Sequence, residues 1–101
     1  MKLDKYKSII VYNHLLNIND EDYTLRKTIE ELQELSLVLT QRLNKSEELV
    51  PDKDIIEEIG DVKIRLKVLE KMFPSKLIKK RINFKLTKFY NYIVDQTYKN
   101  I

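Results

Sequence analysis

One glycine and two prolines in 101 residues leave this chain few of the residues that tight turns require. Hairpin turns depend on Gly, Pro or Asn-Gly pairs to reach backbone conformations other residues resist. The composition therefore argues against a sandwich or barrel with many hairpins. The same scarcity excludes the glycine-rich phosphate loops, because a single glycine makes neither GxGxxG nor GxxxxGK[ST]. With no cysteine, disulfides, thiol nucleophiles and zinc fingers are absent as well. His14 is the single histidine. It cannot make a His-based metal site and gives little support to a Ser-His-Asp triad. Set among Tyr12, Leu15 and Leu16, it reads as a packing residue. Any chemistry falls to carboxylates and lysines.

Apolar residues at 43% against charged residues at 35% place the chain among globular domains and not disordered tails. The length allows one domain, residues 1–101. No stretch approaches the ~20 apolar residues of a membrane span. The apolar run near the start is broken by Asn13 and His14 and reads as structure, not as a signal peptide. A cytoplasmic location is the expectation.

Helical periodicity organises the rest. Residues 4–17 carry Tyr6, Ile9, Ile10, Leu15 and Leu16. Asn17, Asn19 and Asp20 then supply N-cap candidates for a second helix over 20–44. Its stripe is Leu25, Ile29, Leu32, Leu39 and Leu43, widened on one side by Leu35 and Val38. Residues 45–53 read as a loop, with Val50 held away from helical geometry by Pro51. A third helix over 53–73 carries Ile55, Ile59, Val62, Leu66, Leu69 and Phe73. A fourth, over 75–97, carries Ile78, Ile82, Leu86, Phe89 and Ile93, with Pro74 at the junction or in its first turn. The expected fold is all-α: an antiparallel helical bundle of four helices. So small a bundle has a thin core, so the helix faces are expected to oligomerise, as a homodimer first.

The charge is split along the chain. Residues 20–61 hold 13 acids and 5 bases, whereas residues 63–101 hold 2 acids and 11 bases. Within the acidic half, Glu31 and Glu34 lie three apart on the second helix, and Glu58 and Asp61 lie three apart on the third. Residues so spaced share a helical face, about 5–6 Å apart. Glu58 falls between Ile55 and Val62, and Glu31 falls on the side of Leu35 and Val38, so both sit at the margin of an apolar face. Glu57 points away from it. Carboxylates crowded at a core margin are costly unless a cation compensates them, and a hard divalent ion such as Mg²⁺, with Mn²⁺ as a substitute, does so through oxygen ligands. The loop is long enough to bring the two pairs level. The competing reading is ordinary surface charge, with Asp61 and Arg65 as an i,i+4 ion pair.

The stretches Glu30-Glu31-Leu32-Gln33-Glu34 and Glu58-Ile59-Gly60-Asp61 resemble the EExxE and ExxD motifs of the MazG-like, all-α nucleoside triphosphate pyrophosphohydrolases. KTIEELQEL and IIEEIGDVKIRLKVL resemble the surroundings of those motifs, over about residues 23–93, and small phage-encoded relatives are similar in kind. One departure is the basic run Lys63, Arg65 and Lys67 just after ExxD. The resemblance implies Mg²⁺ ligands at Glu31, Glu34, Glu58 and Asp61, with Glu30 as a further ligand or substrate contact. It implies cleavage of a (d)NTP between the α- and β-phosphates, for nucleotide-pool control or house-cleaning, by a dimer or dimer of dimers. Glu34 and Glu31 are the candidate bases.

The fourth helix carries Lys76, Lys79, Lys80, Arg81, Lys85 and Lys88. Arg81 and Lys85 are the candidate phosphate contacts, against a solvated basic face as the plain alternative. Tyr12, Asn13, Asn83, Phe84 and Tyr90 are available for base recognition. Nucleic-acid binding through the basic residues and Phe84, Tyr90 and Tyr92 is disfavoured by the 13 acids nearby. The rival from another class is a non-catalytic helical interaction module, such as a small phage regulator.

Overall fold

The structure, a computed structural model, describes residues 2–18 and 20–99. Among these it is all-helical: α1 (Lys5–Ile18), α2 (Glu21–Asn44), α3 (Asp52–Glu70) and α4 (Ser75–Lys99). The boundaries follow from capping. The Asp4 carboxylate accepts the Lys7 amide at 2.8 Å and opens α1. Asp20 does the same for Tyr23 at 2.7 Å and opens α2, with Glu21 and Asp22 in its first turn. Asn19, the other cap candidate, lies outside the described residues.

Pro51 precedes α3 in extended geometry, and Asp52 and Asp54 occupy the first turn. The third helix is shorter than its periodicity predicts. Beyond Glu70 the chain tightens through i to i+3 bonds, with the amides of Lys71, Met72 and Phe73 meeting the carbonyls of Val68, Leu69 and Glu70. Pro74 stands just outside α4, where its carbonyl accepts the amides of Leu77 and Ile78. No helix among the described residues is long and apolar enough to cross a membrane.

The main packing is between α2 and α3, with α1 resting more lightly on α3 and no packing of comparable extent involving α4. Arg42 of α2 meets Asp52 of α3, and Glu31 and Glu34 of α2 meet Glu58 of α3. Arg42 closes the loop at its tip. It donates to the Val50 carbonyl at 3.1 Å and the Asp52 carboxylate at 2.9 Å, and pairs with Glu47 at 3.2 Å. Val50 is buried beneath this clasp.

The face of α2 turned to α3 is not its most apolar stripe. Its buried and half-buried positions include Thr24, Thr28, Glu31, Leu35, Val38 and Arg42, at alternating spacings of four and three. Ile55, Glu58, Val62, Arg65 and Leu69 repeat the pattern on α3. Thr28 fits there because it donates its hydroxyl to the Thr24 carbonyl at 2.7 Å, leaving its methyl group to bury. The expected core stripe of α2 is largely open instead: Leu25 is half-buried, but Ile29, Leu32, Leu39 and Leu43 are all exposed, Leu43 to 86%. On α4, Ile82, Leu86 and Phe89 are likewise exposed. The radius of gyration is 18.1 Å, against about 13 Å for a compact chain of this length. One copy thus has four helices that do not close on one another.

Candidate metal centre

The α2–α3 seam carries a polar interruption between apolar layers. Glu31 sits between Thr28 and Leu35 on one helix, and Glu58 between Ile55 and Val62 on the other, at the helical spacings that define the seam. Glu34, one turn from Glu31, reaches the same point from the exposed side. Carboxylate oxygens of Glu31, Glu34 and Glu58 lie within 4.8 Å of one another. Glu31 and Glu58 are half-buried and Glu34 is exposed.

Two of these oxygens are anomalous. Oε2 of Glu31 and Oε2 of Glu58 are shielded from solvent and have no hydrogen-bond partner among the described residues. A buried acceptor without a donor is costly, more so when ionised. The electrostatics report the same tension. The Glu31 carboxyl is held above its ordinary value first by burial, then by the neighbouring charges of Glu34 and Asp61. Glu58 is raised first by burial and then by Glu34 and Asp61. The strongest charges acting on both are acidic.

Asp61 therefore contributes its field but stands outside the three-glutamate group. It is exposed, and among the described residues it forms no ion pair with Arg65. Glu30 is not gathered into the group either. It pairs with Lys27 at 3.2 Å on the outer side of α2 and holds that amine above its usual value. Arg81 and Lys85 are on α4, away from the α2–α3 packing, and lie over aromatic rings of their own helix: Arg81 at 5.2 Å from Phe84 and Lys85 at 5.2 Å from Phe89. His14 and Asn13 are exposed on α1.

The basic run after ExxD has a structural use that the sequence reading missed. Lys67 stands 4.3 Å from the centre of the Tyr12 ring, and Lys71 stands 5.4 Å from it, tying α1 to α3. The only sequence trace of this is that Lys67 and Lys71 are i,i+4, on one face of α3. Gly60, inside ExxD, faces open space where a Cβ would point.

The donor set suits a hard divalent cation: three carboxylates, two with an unsatisfied buried oxygen and one reachable from solvent. No protein-family model, curated protein or solved structure matches this chain.

Proposed function

We propose that this chain is a Mg²⁺-dependent nucleoside triphosphate pyrophosphohydrolase of the MazG-like kind, working as a homo-oligomer in which the four helices complete an antiparallel bundle with those of another copy. The observation that carries this reading is the convergence of Glu31, Glu34 and Glu58, with two of their buried oxygens unpartnered. Its agreement with the EExxE and ExxD resemblance is the second support.

In this reading Glu31, Glu34 and Glu58 would hold the ion, and Asp61, exposed one turn beyond Glu58 and outside the group, is the fourth carboxylate that the resemblance implies. Mg²⁺ supplies neutralisation of phosphate oxygens and a water of lowered pKa. Glu34 faces solvent and is the carboxylate assigned to take a proton from the attacking water, with Glu31 as the alternative base. The water oxygen bonds to phosphorus, the bridge between the α- and β-phosphates breaks, and the monophosphate and pyrophosphate leave. The half-buried Glu31 and Glu58 keep the carboxylates in place.

The test is a panel of nucleoside triphosphates with Mg²⁺, scored for pyrophosphate against orthophosphate. Pyrophosphate is expected, and lost in Glu58→Gln. Orthophosphate as the first product contradicts the cleavage point. No turnover and no response to the ion favours a non-catalytic interaction module, which the exposed apolar faces of α2 and α4 would serve.

A further inference from the structure

The largely open stripe of α2 is an unbroken heptad seam. Leu25, Ile29, Leu32, Ser36, Leu39 and Leu43 follow one another at spacings of four, three, four, three and four, the alternation by which one helix packs along another. Ile29, Leu32, Ser36, Leu39 and Leu43 are all exposed. Thr28, Leu35 and Arg42, along one side of the stripe, already belong to the packing against α3. So α2 carries two adjoining seams, one filled and one open. The accessible surface of one copy is 8787 Å², whereas a compact monomer of 12.2 kDa exposes about 6,100 Å². The excess, roughly 2,700 Å², is more than the roughly 800 Å² that each partner gives to a standard interface.

The charges of α2 itself leave this seam free to meet its own copy. The helix carries five acids and three bases. Between Leu25 and Leu43 no acid flanks the open seam, whose free side carries Arg26, Gln33 and Thr40. The exposed stripe of α4 is a poorer match. Ile78, Ile82 and Leu86 are separated by two successive spacings of four, which carry that stripe out of step with a heptad. With seven bases and one acid, α4 also repels its own copy. Run antiparallel, α2 complements itself at every seam position: Leu25 meets the partner's Leu43, Ile29 the partner's Leu39 and Leu32 the partner's Ser36. A leucine then fills the space above each small serine. A parallel pair would instead set serine on serine, place the two copies of Asp22 together one heptad before Ile29, and align the helix dipoles.

We infer that this chain pairs with a second copy through α2, antiparallel about a two-fold axis, along the seam from Leu25 to Leu43. The inference deepens the homo-oligomer of the reading above and rests on none of its chemistry. At about 100° per residue, Glu34 lies nearly opposite the open seam and Glu31 well to one side of it. The docked helix therefore leaves the Glu31–Glu34–Glu58 cluster of each copy uncovered, with all three carboxylates drawn from one chain.

The absence of native cysteine makes cross-linking clean. A chain bearing Leu25→Cys is co-expressed with one bearing Leu43→Cys, and oxidised. The expected result is a covalent dimer that joins the two different chains. In a parallel pair these positions stand about 27 Å apart along the axis, and each variant would link to itself instead. The same cross-link is expected when both chains also carry Leu86→Glu on α4. Self-linked chains, or a cross-link lost with Leu86→Glu, overturn the inference.

Sedimentation supplies the second measurement. Wild type is expected to run as a dimer. Leu39→Glu, at an exposed position, is expected to keep its helix content, run as a monomer and retain the melting shift that Mg²⁺ gives wild type. A Leu39→Glu chain that still runs as a dimer overturns the α2 docking and leaves the homo-oligomer standing. A wild-type monomer overturns both. A Mg²⁺ shift that disappears together with the dimer overturns the uncovered placement of the cluster. A wild-type dimer that ignores Mg²⁺ fails the enzyme reading alone, and the cross-link still supports the docking.

Discussion

Glu31 on α2 and Glu58 on α3 face each other across the helix seam, each with one shielded carboxylate oxygen that has no hydrogen-bond partner among the described residues. Both carboxyls are raised above the ordinary glutamate value of 4.5, burial being the largest cause. The folded chain therefore holds these protons more tightly than the unfolded chain. Their contribution to stability is fullest below 4.5 and is lost as the pH rises through the raised values. Without metal, Glu58→Gln is expected to gain on wild type in melting temperature as the pH is raised from 4.5 towards neutrality. A constant difference across that range would refute the prediction.

Mg²⁺ is expected to reverse that trend, because the ion competes with the protons for the same oxygens. At a hundredfold excess over its Kd it adds about 2.7 kcal/mol. Glu34 is exposed, so Glu34→Gln is expected to fold normally and yet lose most of the Mg²⁺-induced shift. Thermal melts with and without the ion check this, and an undiminished shift in Glu34→Gln would remove Glu34 from the ligand set.

Arg42 serves three acceptors from a half-buried position. Arg42→Ala leaves the Val50 carbonyl without its donor and frees the loop over 45–51. A loss of about 1–3 kcal/mol is expected in denaturant unfolding, with Arg42→Lys recovering only part because an ammonium cannot span the same fork. A loss below a few tenths would mean that the clasp is ornamental to stability.

Gly60 is a helical glycine with open space around its missing Cβ. Gly60→Ala is expected to stabilise the chain by about 1 kcal/mol through helix propensity alone. A destabilised variant would show that another copy or a ligand comes close at this position.

Tyr12 links α1 to α3 beneath Lys67 and Lys71. Tyr12→Leu keeps apolar bulk but removes the ring, and about 0.5–1 kcal/mol of anchoring goes with it. Faster amide hydrogen exchange confined to α1 is the expected signature, and unchanged α1 protection the contrary one.

The helices were readable because their signals are local. Asp20 caps α2 through its own neighbour, Pro51 and Pro74 stand just outside α3 and α4, and apolar spacing marks each body. The gathering of Glu31, Glu34 and Glu58 was also readable, since each pair lies within one helical turn and both sit at core margins. Asp61 and Glu30 share the same short-range pattern but are not in the group. Whether a carboxylate points into a seam or to one side of it depends on how the facing helix is rotated, and spacing along one helix does not contain that angle.

The amino-acid order by itself determined four helices, the Asp20 cap of α2, a loop before Pro51 and a chain with acids in one half and bases in the other. Only the tertiary structure decided that α2 meets α3 through Thr24, Thr28, Leu35 and Val38 and leaves its leucine-rich stripe open. The physical reason is that an amphipathic helix declares which residues avoid water, but not which neighbour covers them. Small residues that allow close approach, such as Thr28 with its hydroxyl bonded to its own helix, can outcompete leucines for the inner position, and the leucines then wait for another surface.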